Sequence, residues 1–135
     1  GDICLAIGWS GDVLQARDRA AEADNGVTVS YVIPKEGAMM WFDNMAIPAD
    51  APHTEEAHVF LDYIMRPEVI AKATNYVFYA NGNKASQEFV DTEVLEDPAI
   101  YPSEETVNNL FSTTTKSPRA MRARTREWTT VKTGQ

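Results

Sequence analysis

The chain has 135 residues, 44% of them hydrophobic and 24% charged, enough for one globular domain with a sizeable core. Its formal net charge of −8 is uneven: residues 1–115 carry 19 acids against 6 bases, and residues 116–135 carry 6 bases against 1 acid. So acidic a body argues against a nucleic-acid partner and favours cations, and no apolar run approaches the roughly 18 residues that cross a membrane as a helix.

Residues 2–8 alternate loosely and predict a buried strand that runs into a glycine-rich turn. The lone cysteine, Cys4, falls in that run; by itself it reads as a buried, inert thiol, and in an exported protein as one whose partner lies outside this sequence. A helix is predicted from Asp12 to Asp24, stopped by Asn25-Gly26. Val27, Val29, Tyr31 and Ile33 keep a period of two and predict a strand, interrupted by Pro34 through Gly37. Another strand is predicted from Ala38 to Ile47, where Met39, Trp41, Asp43 and Met45 share one face.

The pattern then becomes helical. Thr54 is the expected N-cap of a helix whose core stripe is Ala57, Phe60, Leu61, Ile64 and Met65. Pro67 opens a second helix with Val69, Ile70 and Ala73 inward. Tyr76 to Tyr79 is an aromatic run that ends at the turn Asn81-Gly82-Asn83, and a helix over about Lys84 to Val90 follows. Ser103 caps a short helix through Phe111, and Ser117-Pro118 opens the last one, where Trp128 is expected to pack. Arg119, Arg122, Arg124 and Arg126 are read as the polar face of that helix rather than an RNA-binding arm. The fold class expected is α/β. Two or three strands leave sheet edges uncovered, so the chain is expected to be a piece of something larger, or to work beside a second chain.

Two stretches carry chemistry: Gly8-Trp9-Ser10-Gly11-Asp12 and Trp41-Phe42-Asp43. Each sets an indole beside a carboxylate. A ring face attracts a cation while a carboxylate neutralises it, and aromatic walls cover methylene groups at small entropic cost. A short diamine or polyamine fits this better than a sugar, phosphate or nucleic acid. Tyr79 abuts a polar turn, where its phenol could face the same cleft. Packing and capping stand against these roles: Asp12 as the cap of its helix, Asp43 as a bridge to the strand end. Gly8-Trp9-Ser10-Gly11-Asp12 also invites comparison with the Gly-x-Ser-x-Gly nucleophile elbow, but Asp12 replaces the last glycine and His53 and His58 read as surface residues. No Cys, His and carboxylate cluster has metal-ligand spacing, so neither metal nor cofactor is expected.

These residues belong to a longer match. Ala6-Ile7-Gly8-Trp9-Ser10-Gly11-Asp12, Ile33-Pro34-Lys35-Glu36-Gly37-Ala38, Pro48-Ala49-Asp50, Arg66-Pro67-Glu68-Val69, Val77-Phe78-Tyr79-Ala80-Asn81 and Arg124-Thr125-Arg126-Glu127-Trp128 resemble the C-terminal portion of the periplasmic polyamine-binding proteins, the putrescine- and spermidine-binding components of ABC importers. The resemblance runs through essentially all 135 residues. It implies two α/β lobes with ligand in the cleft between them, and lobe closure read by an inner-membrane permease. Residues 1–33 would be the end of the C-terminal lobe and a hinge strand, 34–38 a hinge crossing, and 39–135 part of the N-terminal lobe plus closing helices. Trp9, Asp12, Trp41, Asp43 and Tyr79 would bind the ligand, with the remainder of the pocket in an N-terminal part. It also implies a disulfide from Cys4 to a cysteine in that part. Relatives often carry Phe where Trp41 stands, so the larger ring is expected to bias ligand length. A serine hydrolase using Ser10 and an interaction fragment that binds no small molecule are the competing classes.

Overall fold

The computed structural model describes residues 3–134. Six α-helices follow one another: α1 (Ser10–Ala23), α2 (Thr54–Ile64), α3 (Pro67–Val77), α4 (Thr92–Leu95), α5 (Glu104–Asn108) and α6 (Pro118–Thr133), with a 3-10 helix over Lys84–Phe89. Local chemistry accounts for their ends. Helix α1 stops where Asp24 takes a left-handed conformation, followed by Gly26 at φ +75°. Pro67 and Pro118 sit in the first turns of α3 and α6, where a missing N–H costs nothing. Ser103 and Ser117 cap α5 and α6 by accepting from the Thr106 and Ala120 N–H groups. Thr54 is the first helical residue of α2 rather than its cap, and its hydroxyl donates back to the Ala51 carbonyl at 3.1 Å.

Among the described residues the expected strands are not formed; Asp2, the first residue of the strand predicted over residues 2–8, lies outside them. Among the described residues the β pairing is one isolated parallel bridge, Met39 to Phe111, in which Met40 N–H donates to Phe111 O at 2.8 Å and Phe111 N–H to Ala38 O at 3.1 Å. The reason is physical: alternation prepares a segment for a sheet, but a strand exists only when a neighbour fills its hydrogen bonds. Residues 3–9 take up neither helix nor strand, with a bend at Cys4, and Ile3, Leu5 and Ile7 are all exposed. Cys4 is likewise exposed and free rather than buried, and as the chain's single cysteine it makes no disulfide within it. Residues 34–38 form a turn closed by Gly37 N–H to Pro34 O at 3.0 Å, with Gly37 at φ +102°.

The core is small. Leu14 from α1, Ala71 from α3, and Val90, Val94 and Ile100 are buried together, with Tyr31, Phe78, Leu95, Ala99 and Tyr101 packed against them. Two polar side chains share this burial, Thr74 and Ser86. Asn81 reconciles them: its Nδ2 donates to Thr74 Oγ1 and to Ser86 Oγ, each at 2.9 Å, while its Oδ1 accepts from the Asn83 N–H at 2.8 Å. Buried hydroxyls satisfied in this way rigidify the turn they hold. Of the stripe expected on α2, Ala57, Leu61 and Ile64 are half-buried, whereas Phe60 and Met65 are exposed. Helix α6 has no buried residue, and Trp128 faces solvent instead of packing.

Candidate functional site

Three aromatic side chains from three parts of the chain meet. Trp9 precedes α1, Trp41 lies in the irregular segment after the turn closed by Gly37 and Pro34, and Tyr79 follows α3. The Trp9 and Trp41 ring centroids are 4.4 Å apart at 62°, and those of Trp41 and Tyr79 are 6.3 Å apart at 70°, both edge-to-face. Tyr79 gets there because Phe78 ends α3 in the left-handed region, φ 57°, with its N–H on the Thr74 carbonyl at 2.9 Å. A non-glycine residue held there costs on the order of 1–2 kcal/mol, and the Asn81 knot three residues on helps to hold it.

Tyr79 then lies on the start of α1. A Cβ on Gly11 would fall into the edge of the Tyr79 ring and within 2.5 Å of the Val77 carbonyl oxygen, so only glycine admits this approach. Burial pushes the Tyr79 phenol above its usual pKa, and the negative charges of Asp12 and, more weakly, Asp43 push the same way. The Asp12 and Gly11 N–H groups beside the phenol oxygen act in the opposite sense. The phenol is therefore a neutral hydroxyl at physiological pH, near both carboxylates.

Neither carboxylate is committed to the backbone. Asp12 occupies the first turn of α1, where the helix dipole favours an anion, but the N-cap position is Trp9 and no side chain caps it. Among the described residues neither Asp12 nor Asp43 has a side-chain hydrogen bond or ion pair, so the capping and bridging roles weighed for them are not taken up. Ser10, Trp41, Asp43 and Tyr79 line one cavity of about 1110 Å³, together with Tyr31 and Ile33. Trp9 and Asp12 are not among its lining residues; they join the group through the Trp9–Trp41 contact and the proximity of Asp12 to the Tyr79 phenol. All five residues singled out from sequence thus fall into one neighbourhood.

Gly11 and Asn81 belong to the same neighbourhood as supports and were not singled out from sequence. The glycine and the Asn-Gly-Asn turn were the available signals. Ser10 lines the cavity without a histidine bonded to it, and His53 lies instead at the exposed start of α2, 3.8 Å from Glu56. No group of three or more His, Cys, Asp or Glu among the described residues is arranged to hold a metal ion.

Aromatic side chains set beside two carboxylates suit a cationic solute. The chain belongs to the bacterial extracellular solute-binding proteins, whose family model matches residues 1–102. It is 54% identical over all 135 residues to the putrescine-binding periplasmic protein PotF of Escherichia coli K12, and spans 36% of that protein. It is 48% identical, again over 135 residues, to the putrescine-binding periplasmic protein SpuD of Pseudomonas aeruginosa UCBPP-PA14, of which it spans 37%. To the spermidine/putrescine-binding periplasmic protein of Escherichia coli K12 it is 32% identical over 109 residues, 81% of this chain and 30% of the relative. The chain thus spans little more than a third of the curated relatives it matches. These relatives are named as binding proteins, and none as an enzyme.

Proposed function

We propose that this chain is the C-terminal segment of a periplasmic polyamine receptor that delivers putrescine or spermidine to an ABC permease in the inner membrane. The observation that carries the reading is the aromatic path Trp9–Trp41–Tyr79 flanked by two uncommitted carboxylates, Asp12 and Asp43. An ammonium group gains from both a ring face and a carboxylate, and the methylenes between ammonium groups lie against the rings. Binding of this kind requires no tuned pKa and no nucleophile, which favours it over hydrolysis at Ser10. The names of the relatives agree with the ligand class.

In this reading residues 1–33 close one lobe of an α/β pair, 34–38 cross between lobes, and 39–135 complete the other. Asp12 and Asp43 then grip ammonium groups from opposite sides, and the N-terminal remainder of the protein supplies the rest of the pocket. The segments at residues 3–9, 27–33 and 38–47 become sheet strands once that remainder pairs with them.

Calorimetric titration with putrescine and spermidine tests the reading, on this chain alone and on the chain mixed with its N-terminal complement. Heat from the mixture, absent from the chain alone, is the expected result. A folded mixture that gives no heat with either amine would leave the aromatic and acidic residues as packing. In the binding-competent receptor, Trp41→Phe is expected to shift the putrescine-to-spermidine preference about two- to tenfold, the scale of one aromatic contact. An unchanged ratio of dissociation constants would show that ring size at this position does not select ligand length.

A further inference from the structure

The contact left over by the site is an ion pair between residues 80 positions apart. Arg17, on α1, donates from Nη1 to Asp97 Oδ2 at 3.2 Å and from Nε to Asp18 Oδ1 at 3.1 Å. Asp97 is not a loose surface acid. Its Oδ1 accepts from the Ala99 N–H at 2.9 Å, its carbonyl accepts from the Ile100 and Tyr101 N–H groups at 2.9 Å, and its side chain is 19% exposed. The turn that carries Ile100 into the core therefore also presents a fixed carboxylate to Arg17.

Two further points hold α1. Leu14, one turn before Arg17, is buried against Ala71 and Ile100, and the Gln15 Nε2 reaches the Val77 carbonyl at 3.5 Å. None of Leu14, Gln15 and Arg17 lines the cavity. The first half of α1 is thus held at Gly11, Leu14 and Gln15, and Arg17 is the contact that holds its second half. Trp9, at one end, lies eight residues from Arg17, or about 12 Å at 1.5 Å per residue. Because the helix is stiff, the tilt set at Arg17 is felt along it, and a displacement of about 1 Å is enough to degrade a positioned contact.

We propose that Arg17 and Asp97 are positioning residues for the ligand site: their ion pair fixes how α1 lies on the body and so holds Trp9 and Asp12 against Trp41 and Tyr79. Its consequence for ligand rests on the polyamine reading above; its structural half does not. The Arg17 side chain is 39% exposed, so the pair is of the half-screened kind and its effect on the ligand is a modest one.

The test uses the complete receptor, this chain with its N-terminal remainder, as wild type, Arg17→Gln, Asp97→Asn and the double variant Arg17→Gln/Asp97→Asn. Two quantities are read. One is the near-ultraviolet circular dichroism couplet of the Trp9–Trp41 pair without ligand, assigned by its loss in Trp9→Phe. The other is the dissociation rate of putrescine by stopped flow. Each single variant is expected to diminish the couplet and to raise the dissociation rate about two- to fivefold with the association rate unchanged, and the double variant to do no more than either single one, because both remove the same contact. Single variants that melt earlier yet keep couplet and dissociation rate would overturn the proposal, because the pair would then serve stability alone. If Arg17→Gln does not fold, Asp97→Asn, which keeps an oxygen for the Ala99 N–H and removes only the charge, decides under the same criteria. A wild type that shows the couplet but binds no putrescine would sink the polyamine reading, and the response of the couplet in the variants would still decide the role of the ion pair.

Discussion

Under the proposed polyamine function, Asp12→Asn and Asp43→Asn are each expected to weaken putrescine binding to the complete receptor by about 2–5 kcal/mol, a factor of roughly thirty to several thousand. Asparagine keeps the shape of the side chain and removes its charge. In a closed cleft the ammonium group would then be desolvated without neutralisation, which is the larger part of the cost. The structure favours a clean result, since neither carboxylate has another bond to lose among the described residues. Calorimetric titration of each variant against wild type measures the effect. A loss under about 0.5 kcal/mol, the scale of an unremarkable surface change, would remove that carboxylate from the site.

Gly11→Ala is the second large effect, and its sign opposes helix propensity. At the second position of α1 alanine would ordinarily be neutral or better, by up to about 1 kcal/mol. Here the added methyl collides with the Tyr79 ring and the Val77 carbonyl, one a packed aromatic and the other backbone. Either α1 lifts or Tyr79 turns away. Overpacking of this kind costs about 1–3 kcal/mol, and both escapes separate Trp9 from Trp41. Weakened binding by about five- to one-hundred-fold, with a lowered unfolding midpoint, is expected from titration and denaturant unfolding run together. Wild-type affinity in Gly11→Ala would mean that the Tyr79–Gly11 approach is not part of the binding arrangement.

Helices were the legible part of the fold because their signals are local. Pro67, Ser103, Ser117-Pro118 and the Asn25-Gly26 stop each act within one turn, and the helices begin or end beside them. Strands were legible only as a tendency, since Val27 to Ile33 and Ala38 to Ile47 alternate correctly yet remain unpaired beyond Met39–Phe111. The same cause exposes Phe60 and Met65: periodicity names an apolar face without naming what covers it. Trp9, Asp12, Trp41, Asp43 and Tyr79 were legible because an indole next to a carboxylate is an unusual local pairing. Thr74, Ser86 and Asn81 were not, because polar residues read as surface until their partners are known. Arg17 and Asp97 were invisible for a plainer reason, that 80 residues separate them.

The bare segment from Ile3 to Ile7 has a consequence for how such a chain behaves in company. Among the described residues its backbone N–H and C=O groups have no hydrogen-bond partner, and its side chains are mostly apolar. Such a segment is a template: whatever extended backbone arrives first, a second copy included, can zip onto it. Only the mutual repulsion of bodies with a net charge of −8 stands against that capture, and salt weakens it. Two copies of this chain can thus pair through the segment, and low ionic strength, which leaves their repulsion unscreened, opposes it.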